Sequence, residues 1–506
     1  MTGAETYAMP ADPVFSDPIS GRITLGLGQF DHTPAGYLVQ ERFVSGTAHS
    51  YRRVAGALDA VVAATARYQT RLVVVRPTDP SRFNGTVIVE WLNVTGGTDA
   101  APDWAYLNRE ILRHGYAYVA VSAQKAGLQG GPIRVPGMMA PVKKADPQRY
   151  GSLLHPGDAF SFDIFSQIGR AVRVEAGALL GPLVPRHLLA VGQSQSAAFL
   201  TTYFNLIDPL AKVFDGALIH SRFAGSAPLT GNFGSSMVVS SVKYSLIKLL
   251  SKWRPLSRLL PAGGRNAAVQ SVRIRSDVRA PILMFITETD LVLPGFGYIA
   301  ARQADAPNIR TWEVAGSAHA DSYLMAAMQG GALSSDSAPM DTLVKAFAPL
   351  DIVLGRRLAR PMNSAPQHHY VLMAALAALR TWVAEGRAPQ SAPVLCVGGT
   401  SPPILLADAV GNASGGVRSP WIDVPTARLS GVGQSGGIFG ALFGVTETFD
   451  QRKLAELYPG GRADYLDKFA AALSSAIGNG YILGEDAAQI AALAAATYPG
   501  YANKGE

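Results

Sequence analysis

The chain has 506 residues, of which 48 % are hydrophobic and 16 % are charged, and its formal net charge is +7. This composition supports a large buried core and excludes an intrinsically disordered chain. The basic residues form no run of roughly five or more, so the sequence predicts no nucleic-acid partner. No uninterrupted apolar stretch reaches the roughly 18 residues of a membrane-spanning helix, so we expect no integral membrane segment.

The sequence also carries none of the common cofactor signatures. Its single cysteine, Cys396, cannot form an internal disulfide, and no cysteine–histidine pair has zinc spacing. Neither H-E-x-x-H nor G-x-x-x-x-G-K-[ST] occurs, so we expect no metal and no organic cofactor. The N-terminal residues lack a basic segment followed by an apolar run, which predicts a cytoplasmic protein. A homodimer would be compatible with the sequence.

Short apolar segments alternate with helical patterns over residues 35–320. The patterns predict helices at 103–115, 158–180 and 195–207 and strands at 68–79, 85–94, 116–124, 187–194, 215–223, 280–290 and 309–319. Short buried strands that alternate with helices are typical of a parallel sheet covered on both faces. We therefore expect an α/β fold with a mostly parallel central sheet.

Two regions depart from this alternation. Residues 224–279 contain a basic amphipathic helix pattern at 240–260 and are interpreted as an inserted cap, or else as a satellite helix away from any site. Residues 331–506 are mostly helical in pattern, with a helix predicted at 370–386. We expect this extension to pack on the core, so that 1–506 form one domain.

Two serines stand in the pattern of a hydrolase nucleophile. Residues 433–437 read G-Q-S-G-G, which is a literal G-x-S-x-G, whereas residues 192–196 read G-Q-S-Q-S and depart at the last position. In α/β-hydrolases this serine lies on a tight strand-to-helix turn. Ser194 follows a strand pattern and precedes a helix pattern, with Gly192 providing a permissive backbone. The sequence therefore predicts Ser194 as the nucleophile.

The second serine, Ser435, has a different context. The segment before it contains Pro425 and Arg428 and is a poor central strand, and the segment after it is rich in glycine and a poor helix. No histidine follows it in the chain. The sequence predicts that 429–440 form a glycine-rich surface turn.

The base and acid of a triad are expected after the serine, with the acid first. His319 ends a predicted strand and a short loop of small residues, and it is the predicted base. The strand before it ends in Glu288 and Asp290, which would point the same way on an extended strand. The position of Asp290 in the loop favours it as the acid, while Glu288 remains either its partner or the acid itself.

The remaining site residues are expected at the carboxyl edge of the sheet. An oxyanion hole needs two backbone donors. Gln195 would supply one, and Val94 the other, with Asn93 and Thr95 as alternatives. Four residues at or near this edge are the predicted substrate contacts: Trp91, Gln124, His220 and His368.

Several stretches together resemble a family of bacterial serine esterases that carry an alpha/beta hydrolase domain. They include VEWLNVTGG, GYAYVAVSAQKAG, AVGQSQSA, ITETD, WEVAGSAHAD and SAPQHHYVLMAALAALRTWVAEG, and they extend from residue 89 to 386. The resemblance implies an α/β-hydrolase fold and a triad on Ser194, His319 and either Glu288 or Asp290. It does not identify the ester.

These features predict a serine esterase that hydrolyses a medium-sized hydrophobic ester in two steps. The same triad would also serve a lactonase, an amidase or an acyltransferase. A non-catalytic binding protein on the same fold and a membrane-surface protein docked through 240–260 are the alternatives from other classes.

Overall fold

A computed structural model of the protein describes most of the chain. The described residues are 12–23, 25, 32–54, 60–131, 138–233, 270–329, 333, 338–399 and 402–499. A nine-stranded sheet in the order β1-β2-β3-β5-β4-β6-β7-β8-β9 runs through the middle of the fold. Its strands are β1 (Val14–Phe15), β2 (Tyr37–Arg53), β3 (Ala60–Pro77), β4 (Thr86–Trp91), β5 (Ala117–Val121), β6 (His187–Gln193), β7 (Gly216–His220), β8 (Ile282–Thr287) and β9 (Ile309–Val314).

The half of the sheet from β5 to β9 is parallel, as the sequence predicts. Every residue of β4, β5, β7 and β8 is buried, because helices cover both faces and leave no solvent-facing side. These runs are rich in valine, isoleucine and leucine, which is the composition of a strand buried on both faces. The structure and its sheet confirm the predicted fold class.

The other end of the sheet is antiparallel and was only partly predicted. β2 and β3 form a hairpin of 17- and 18-residue strands, and β3 then pairs with β5. The strand predicted at 68–79 therefore begins earlier, and β2 was not predicted. β2 and the first half of β3 are largely half-buried or exposed, so these segments lack the apolar run that marks the central strands.

Seventeen α-helices lie in the described part of the chain. In chain order they are α1 (Pro102–Arg113), α2 (Lys125–Gln129), α3 (Val142–Ala145), α4 (Pro147–Tyr150), α5 (Ser161–Val174), α6 (Ala176–Leu180), α7 (Gln195–Thr202), α8 (Asp208–Ala211), α9 (Glu288–Val292), α10 (Ser322–Gln329), α11 (Met340–Ala346), α12 (Pro366–Glu385), α13 (Pro420–Asp423), α14 (Gly437–Ala441), α15 (Gln451–Leu457), α16 (Gly461–Gly478) and α17 (Ala487–Thr497). None of the described helices is long and apolar enough to cross a membrane.

Alternation along β4 shows how the two faces of the sheet are covered. Trp91 packs against Phe162 and Phe165 of α5 on one face. The preceding residue, Glu90, points to the opposite face, where its carboxylate accepts the backbone N–H of Trp104 in α1. The sheet is thus sandwiched between different helices, and its core lies on both sides.

The two regions that interrupt the alternation differ in how far they are described. The helix predicted at 240–260 lies outside the described residues, and the described flanks, 224–233 and 270–279, are largely without regular secondary structure. After residue 331 the regular elements in the described part of the chain are mostly helical, as predicted, and also include three two-stranded sheets. They are formed by β10 (Ile352–Val353) with β11 (Arg356–Arg357), β12 (Val397–Gly398) with β13 (Ile404–Leu405), and β14 (Ala427–Ser430) with β15 (Val445–Thr448).

The C-terminal segment contacts the edge of the central sheet. Val417 forms a parallel bridge with Val314 of β9, donating its N–H to the Glu313 carbonyl and accepting the N–H of Ala315. This pairing covers part of an edge strand that would otherwise leave backbone groups open. The extension therefore packs directly beside the strand that leads to His319.

Candidate active site

Ser194 is the single residue between β6 and α7. β6 ends at Gln193 and α7 begins at Gln195, and Ser194 between them has φ +63° and ψ −113°. Such a backbone conformation is costly for a residue with a side chain, and it occurs where the surrounding structure enforces it. The Ser194 N–H donates to the His220 carbonyl at 2.9 Å, which ties the turn to the end of β7.

Close packing explains the residue types that flank Ser194. A Cβ on Gly192 would lie 3.0 Å from both the Leu200 Cδ1 and the Ser196 Cβ. Position 192 therefore needs glycine, whereas position 196 accepts serine because Gly192 has no side chain to oppose it. The departure from G-x-S-x-G at Ser196 is compatible with the turn.

His319 and Asp290 are brought together at the carboxyl edge of the sheet. The His319 Nδ1 lies 2.6 Å from the Asp290 Oδ1, and both side chains are buried. The other carboxylate oxygen accepts the Thr287 hydroxyl at 2.6 Å and the Thr287 N–H at 3.0 Å. Burial alone would raise the pKa of Asp290, but His319 and the Thr287 donors outweigh it and hold that pKa below its usual value.

Glu288 faces a different part of the structure. Its carboxylate accepts the backbone N–H groups of Gly316 and Gly431, at 2.5 and 2.8 Å, and the Ser430 hydroxyl at 3.1 Å. Burial raises the pKa of Glu288 to about 7, although these three donors oppose the shift. Glu288 braces two loops against each other, and the structure pairs Asp290 rather than Glu288 with His319.

The imidazole of His319 is held on several sides. Phe223 stacks on its ring with centroids 5.1 Å apart, and Thr289 Oγ1 accepts its backbone N–H at 3.2 Å. The Gln193 amide nitrogen lies 3.5 Å from Nε2 and donates to the His319 carbonyl at 3.3 Å. The free edge of the imidazole therefore lies beside the turn that carries Ser194. Gln193, Phe223 and Thr289 were not predicted, because their side-chain types carry no catalytic pattern.

The Ser194 hydroxyl itself is free in this structure. Within the described residues its Oγ makes no hydrogen bond, and 9 % of the residue is exposed to solvent. Contacts between nucleophile and base are commonly long in hydrolases without substrate and shorten in the substrate complex.

The predicted oxyanion donors in the loop after β4 differ in how closely an acceptor already approaches their backbone N–H groups. The N–H of Asn93 donates to the Ala100 carbonyl at 2.9 Å, and that of Thr95 donates to the Asn93 side chain at 2.8 Å. Both amides are therefore already hydrogen-bonded in this arrangement. Among the described residues, the Val94 N–H meets only the Gln195 Oε1, at a long 3.3 Å. The Gln195 N–H opens α7 and has no acceptor within that helix.

Buried polar contacts fix the position of this loop. The Asn93 amide donates to the Gln193 carbonyl at 3.0 Å, which joins the loop directly to the serine turn. At its other end, Asp99 accepts the Ser122 hydroxyl at 2.5 Å and the guanidinium of the fully buried Arg71 at 3.1 Å. The Val94 N–H is therefore presented by a rigid loop.

Two of the four predicted substrate contacts lie in the core. Trp91 is completely buried among the aromatic rings of α5 and α7, and its indole N–H donates to the Gln124 Oε1 at 3.1 Å. Gln124 is also buried, and its amide reaches Asp158. Trp91 and Gln124 therefore lie one layer below the surface at the sheet edge, and neither side chain is open to solvent in this structure.

His220 and His368 form an internal cluster instead of a pocket wall. Their Nε2 atoms lie 2.8 Å apart, and the His220 Nδ1 lies 2.8 Å from the Asp103 carboxylate. None of the three is exposed, and burial holds the pKa of His220 well below its usual value. Burial raises the pKa of Asp103. Both imidazoles are thus engaged with protein groups, which corrects their predicted contact with substrate.

The literal G-x-S-x-G at 433–437 lies on the surface, but the surface turn predicted at 429–440 is only partly confirmed. Leu429 and Ser430 are buried at the end of β14, which was not predicted, and residues 437–441 form the short helix α14. Ser435 is exposed, and the glycines at 433, 436 and 437 have positive φ whereas Ser435 does not. This turn lacks the positive-φ serine that distinguishes position 194.

One group of side chains in the described residues has the spacing of a metal site. Ligand atoms of Glu110, His114 and Glu485 lie within 4.8 Å of one another. Arg113 already pairs with the Glu485 carboxylate at 2.6 Å. The group is therefore a hydrogen-bonded ion-pair cluster that joins α1 to the C-terminal helices.

The sheet order and the tight turn between β6 and α7, with its positive-φ serine, define an α/β-hydrolase. The chain belongs to the family described as alpha/beta hydrolase domain, which matches residues 10–492. This assignment makes the protein a member of a hydrolase family. No curated protein matches the chain.

Solved structures that are similar to this chain include several esterases. One is among two fungal esterases from Rhizomucor miehei, with a TM-score of 0.30 and 12 % identity over 68 % of this chain and 85 % of that chain. Acetyl xylan esterase 1 from Thermoanaerobacterium sp. JW/SL YS485 has a TM-score of 0.28 and 12 % identity over 60 % of this chain and 80 % of that one. Likeness at this level carries no argument about the reaction.

Proposed function

We propose that the protein is a serine esterase in which Ser194, His319 and Asp290 form the catalytic triad. The observation that carries this proposal is the pairing of His319 with Asp290 beside a serine that has a positive φ in a tight strand-to-helix turn. A binding protein would have no need for a strained serine next to a histidine oriented by a buried carboxylate.

The reaction would proceed in two steps. In the first, His319 Nε2 takes the proton from Ser194, whose Oγ forms a bond to the ester carbonyl carbon. The tetrahedral intermediate then collapses, the bond to the alkoxy oxygen breaks, and His319 protonates the departing alcohol. In the second, His319 takes a proton from water, which attacks the acyl-enzyme, and then returns that proton to Ser194 as the carboxylic acid leaves.

The negative charge of each tetrahedral intermediate would rest on the N–H groups of Gln195 and Val94. These are the two candidate donors that the surrounding backbone leaves available. The Gln195 side chain meets the Val94 N–H through a bond of 3.3 Å, which is longer than the usual range, so substrate oxygen can displace it at small cost. A preorganised pair of donors of this kind is worth about 10²–10³-fold in kcat per donor.

Asp290 would orient His319 and balance the imidazolium that forms during each step. Its hydrogen bonds from Thr287 keep the carboxylate ionised and fixed. Phe223 supplies an apolar surface against the imidazole, which favours a hydrophobic ester of medium size as substrate.

Hydrolysis of p-nitrophenyl acetate and butyrate by the full chain tests the proposal. We expect turnover by the wild-type protein and by Ser435→Ala, and a loss of at least 10³-fold in Ser194→Ala. Equal rates in all three proteins would refute Ser194 as the nucleophile. Loss in Ser435→Ala alone would instead transfer the role to the surface motif.

A further inference from the structure

A cavity of about 740 Å³ lies beside the helix that carries Asp290. Three separate segments form its wall: part of 289–294, residues 402–405 of the β12–β13 hairpin, and most of 431–441. The described wall residues do not include Ser194, Gln193 or His319. The cavity is therefore distinct from the candidate catalytic residues, and the surface G-x-S-x-G motif forms one of its sides.

The wall of this cavity is chemically uniform. No described residue in it carries a charge, and its larger apolar side chains are Val292, Leu293, Ile404, Leu405, Val432 and Ile438. At the rim, 61 % of Ile404 is exposed to solvent, an unfavourable position for a large aliphatic side chain. A ligand in the cavity would cover it.

The polar side chains in the wall are Thr289, Gln434 and Ser435, and two of them are already engaged. Gln434 donates to the carbonyls of Arg360 and Gly444 and accepts the Arg360 N–H. The Thr289 hydroxyl donates to the Gly431 carbonyl at 2.6 Å. Among the described side chains of the wall, this leaves the Ser435 hydroxyl for a ligand, and no charged side chain is present to replace the hydration of an ion.

We propose that this cavity binds an uncharged, predominantly apolar small molecule. Its volume lies within the roughly 300–1,000 Å³ typical of small-molecule sites, and burial of apolar surface would supply the affinity. The ligand would lie against Thr289, whose Oγ1 accepts the His319 N–H at 3.2 Å. Two ligands have this apolar character: the tail of an ester substrate and a separate apolar molecule.

Titration of the full-length Ser194→Ala protein with N-phenyl-1-naphthylamine, an uncharged fluorescent probe, tests the proposal. This background has no predicted nucleophile, so probe binding is measured independently of any esterase activity. We expect saturable binding of one probe per chain. Adding Ala441→Trp, which fills the cavity from α14, should weaken binding at least tenfold.

The matched control is Ala463→Trp, because Ala463 is an exposed alanine of α16 that lies away from the cavity. It should bind the probe as the parent does. Val432→Trp fills the same cavity from another segment and replaces Ala441→Trp if circular dichroism shows that variant to be unfolded. Absence of saturable binding, or unchanged binding in both filled variants, would overturn the proposal.

Competition identifies the source of the ligand. If p-nitrophenyl decanoate displaces the probe from the Ser194→Ala protein, the cavity accepts the ester tail. If probe and ester bind together, the cavity serves a separate apolar molecule. Both results support an uncharged, apolar ligand. If the cavity accepts the ester tail, Ala441→Trp in the active protein should also lower kcat/KM for decanoate relative to acetate. If the cavity serves a separate molecule, this ratio should not change.

Discussion

Replacing Asp290 by asparagine provides the sharpest test of the proposed triad. One carboxylate oxygen accepts two donors from Thr287, and the other lies 2.6 Å from the His319 Nδ1. An asparagine that keeps its oxygen on the Thr287 donors must turn its NH₂ group toward Nδ1. The imidazole must then carry its proton on Nε2, where it can no longer accept the serine proton.

The expected loss is large. A wrong tautomer of this kind costs about 10⁴-fold in kcat, or about 5.5 kcal/mol of transition-state stabilisation. The matched control is Glu288→Gln, two residues away, because Glu288 contacts Gly316, Ser430 and Gly431 and not the imidazole. Its kcat should stay within about tenfold of wild type.

The assay is steady-state hydrolysis of p-nitrophenyl butyrate by both variants, with circular dichroism to verify folding. We expect Asp290→Asn to lose activity without a comparable change in KM. The reasoning is refuted if Glu288→Gln loses activity while Asp290→Asn retains more than about a tenth of the wild-type kcat.

Three further outcomes follow from the geometry. Gln195→Ala removes the side-chain oxygen that accepts the Val94 N–H, so KM for p-nitrophenyl acetate should fall about three- to tenfold with little change in kcat. Gln195→Glu should instead raise KM. Equal KM values in the two variants would contradict the competition between the Gln195 side chain and the substrate oxygen. Burial raises the pKa of Glu288 in the folded protein from 4.5 to about 7. The protonated carboxyl therefore contributes its full stability below about pH 4.5, and this contribution is lost as the pH rises toward 7. In urea titrations between these two pH values, the free energy of unfolding should change by about 3 kcal/mol less in Glu288→Gln than in the wild-type protein. Trp91→Phe should lower the free energy of unfolding by about 1–3 kcal/mol and leave KM unchanged, and a raised KM with unchanged stability would restore Trp91 to the substrate pocket.

The parallel half of the sheet was predictable because its strands are buried on both faces. Each reads as a short apolar run, and a helix pattern follows β4, β5 and β6 in the chain. β2 gave no such signal, since its segment is rich in polar residues and contains Gly46. A Cβ at Gly46 would lie 3.0 Å from the Tyr68 ring, so this glycine accommodates a neighbour that only the paired strand supplies. Long-range pairing, rather than local pattern, defines β2.

The choice between the two carboxylates depended on where β8 ends. On an extended strand Glu288 and Asp290 would point the same way, but β8 ends at Thr287 and α9 begins at Glu288. Two residues along a helix are separated by about 200° around its axis, so the side chains diverge. The sequence contains both carboxylates and the loop, but not the residue at which the strand becomes a helix.

The burial of the predicted substrate-contact residues was harder to predict than their position along the sheet. His220 and His368 do lie near the carboxyl edge of the sheet, as their places in the chain indicate. Whether such a residue faces substrate or sits one layer below depends on the packing of α1 and α12, which come from distant parts of the sequence. Ser194 needed no such information, because the strand pattern before it and the helix pattern after it are local and already predict a strand-to-helix turn.

The hydrogen bond between the Gly431 N–H and the Glu288 carboxylate joins segments that are synthesised at different times. A Cβ at Gly431 would lie 2.4 Å from the Ser317 carbonyl and 2.6 Å from the Thr289 N, so this segment fits closely between the acid loop and the histidine loop. On the ribosome, the residues up to His319 emerge well before residue 431, by roughly five to twenty seconds at ordinary rates of synthesis. During that interval the carboxylate of Glu288 lacks two of its three donors. The nascent protein would therefore reach its finished geometry only late in translation, and a chain released early would leave the ribosome with the loops around Glu288 and His319 unsupported.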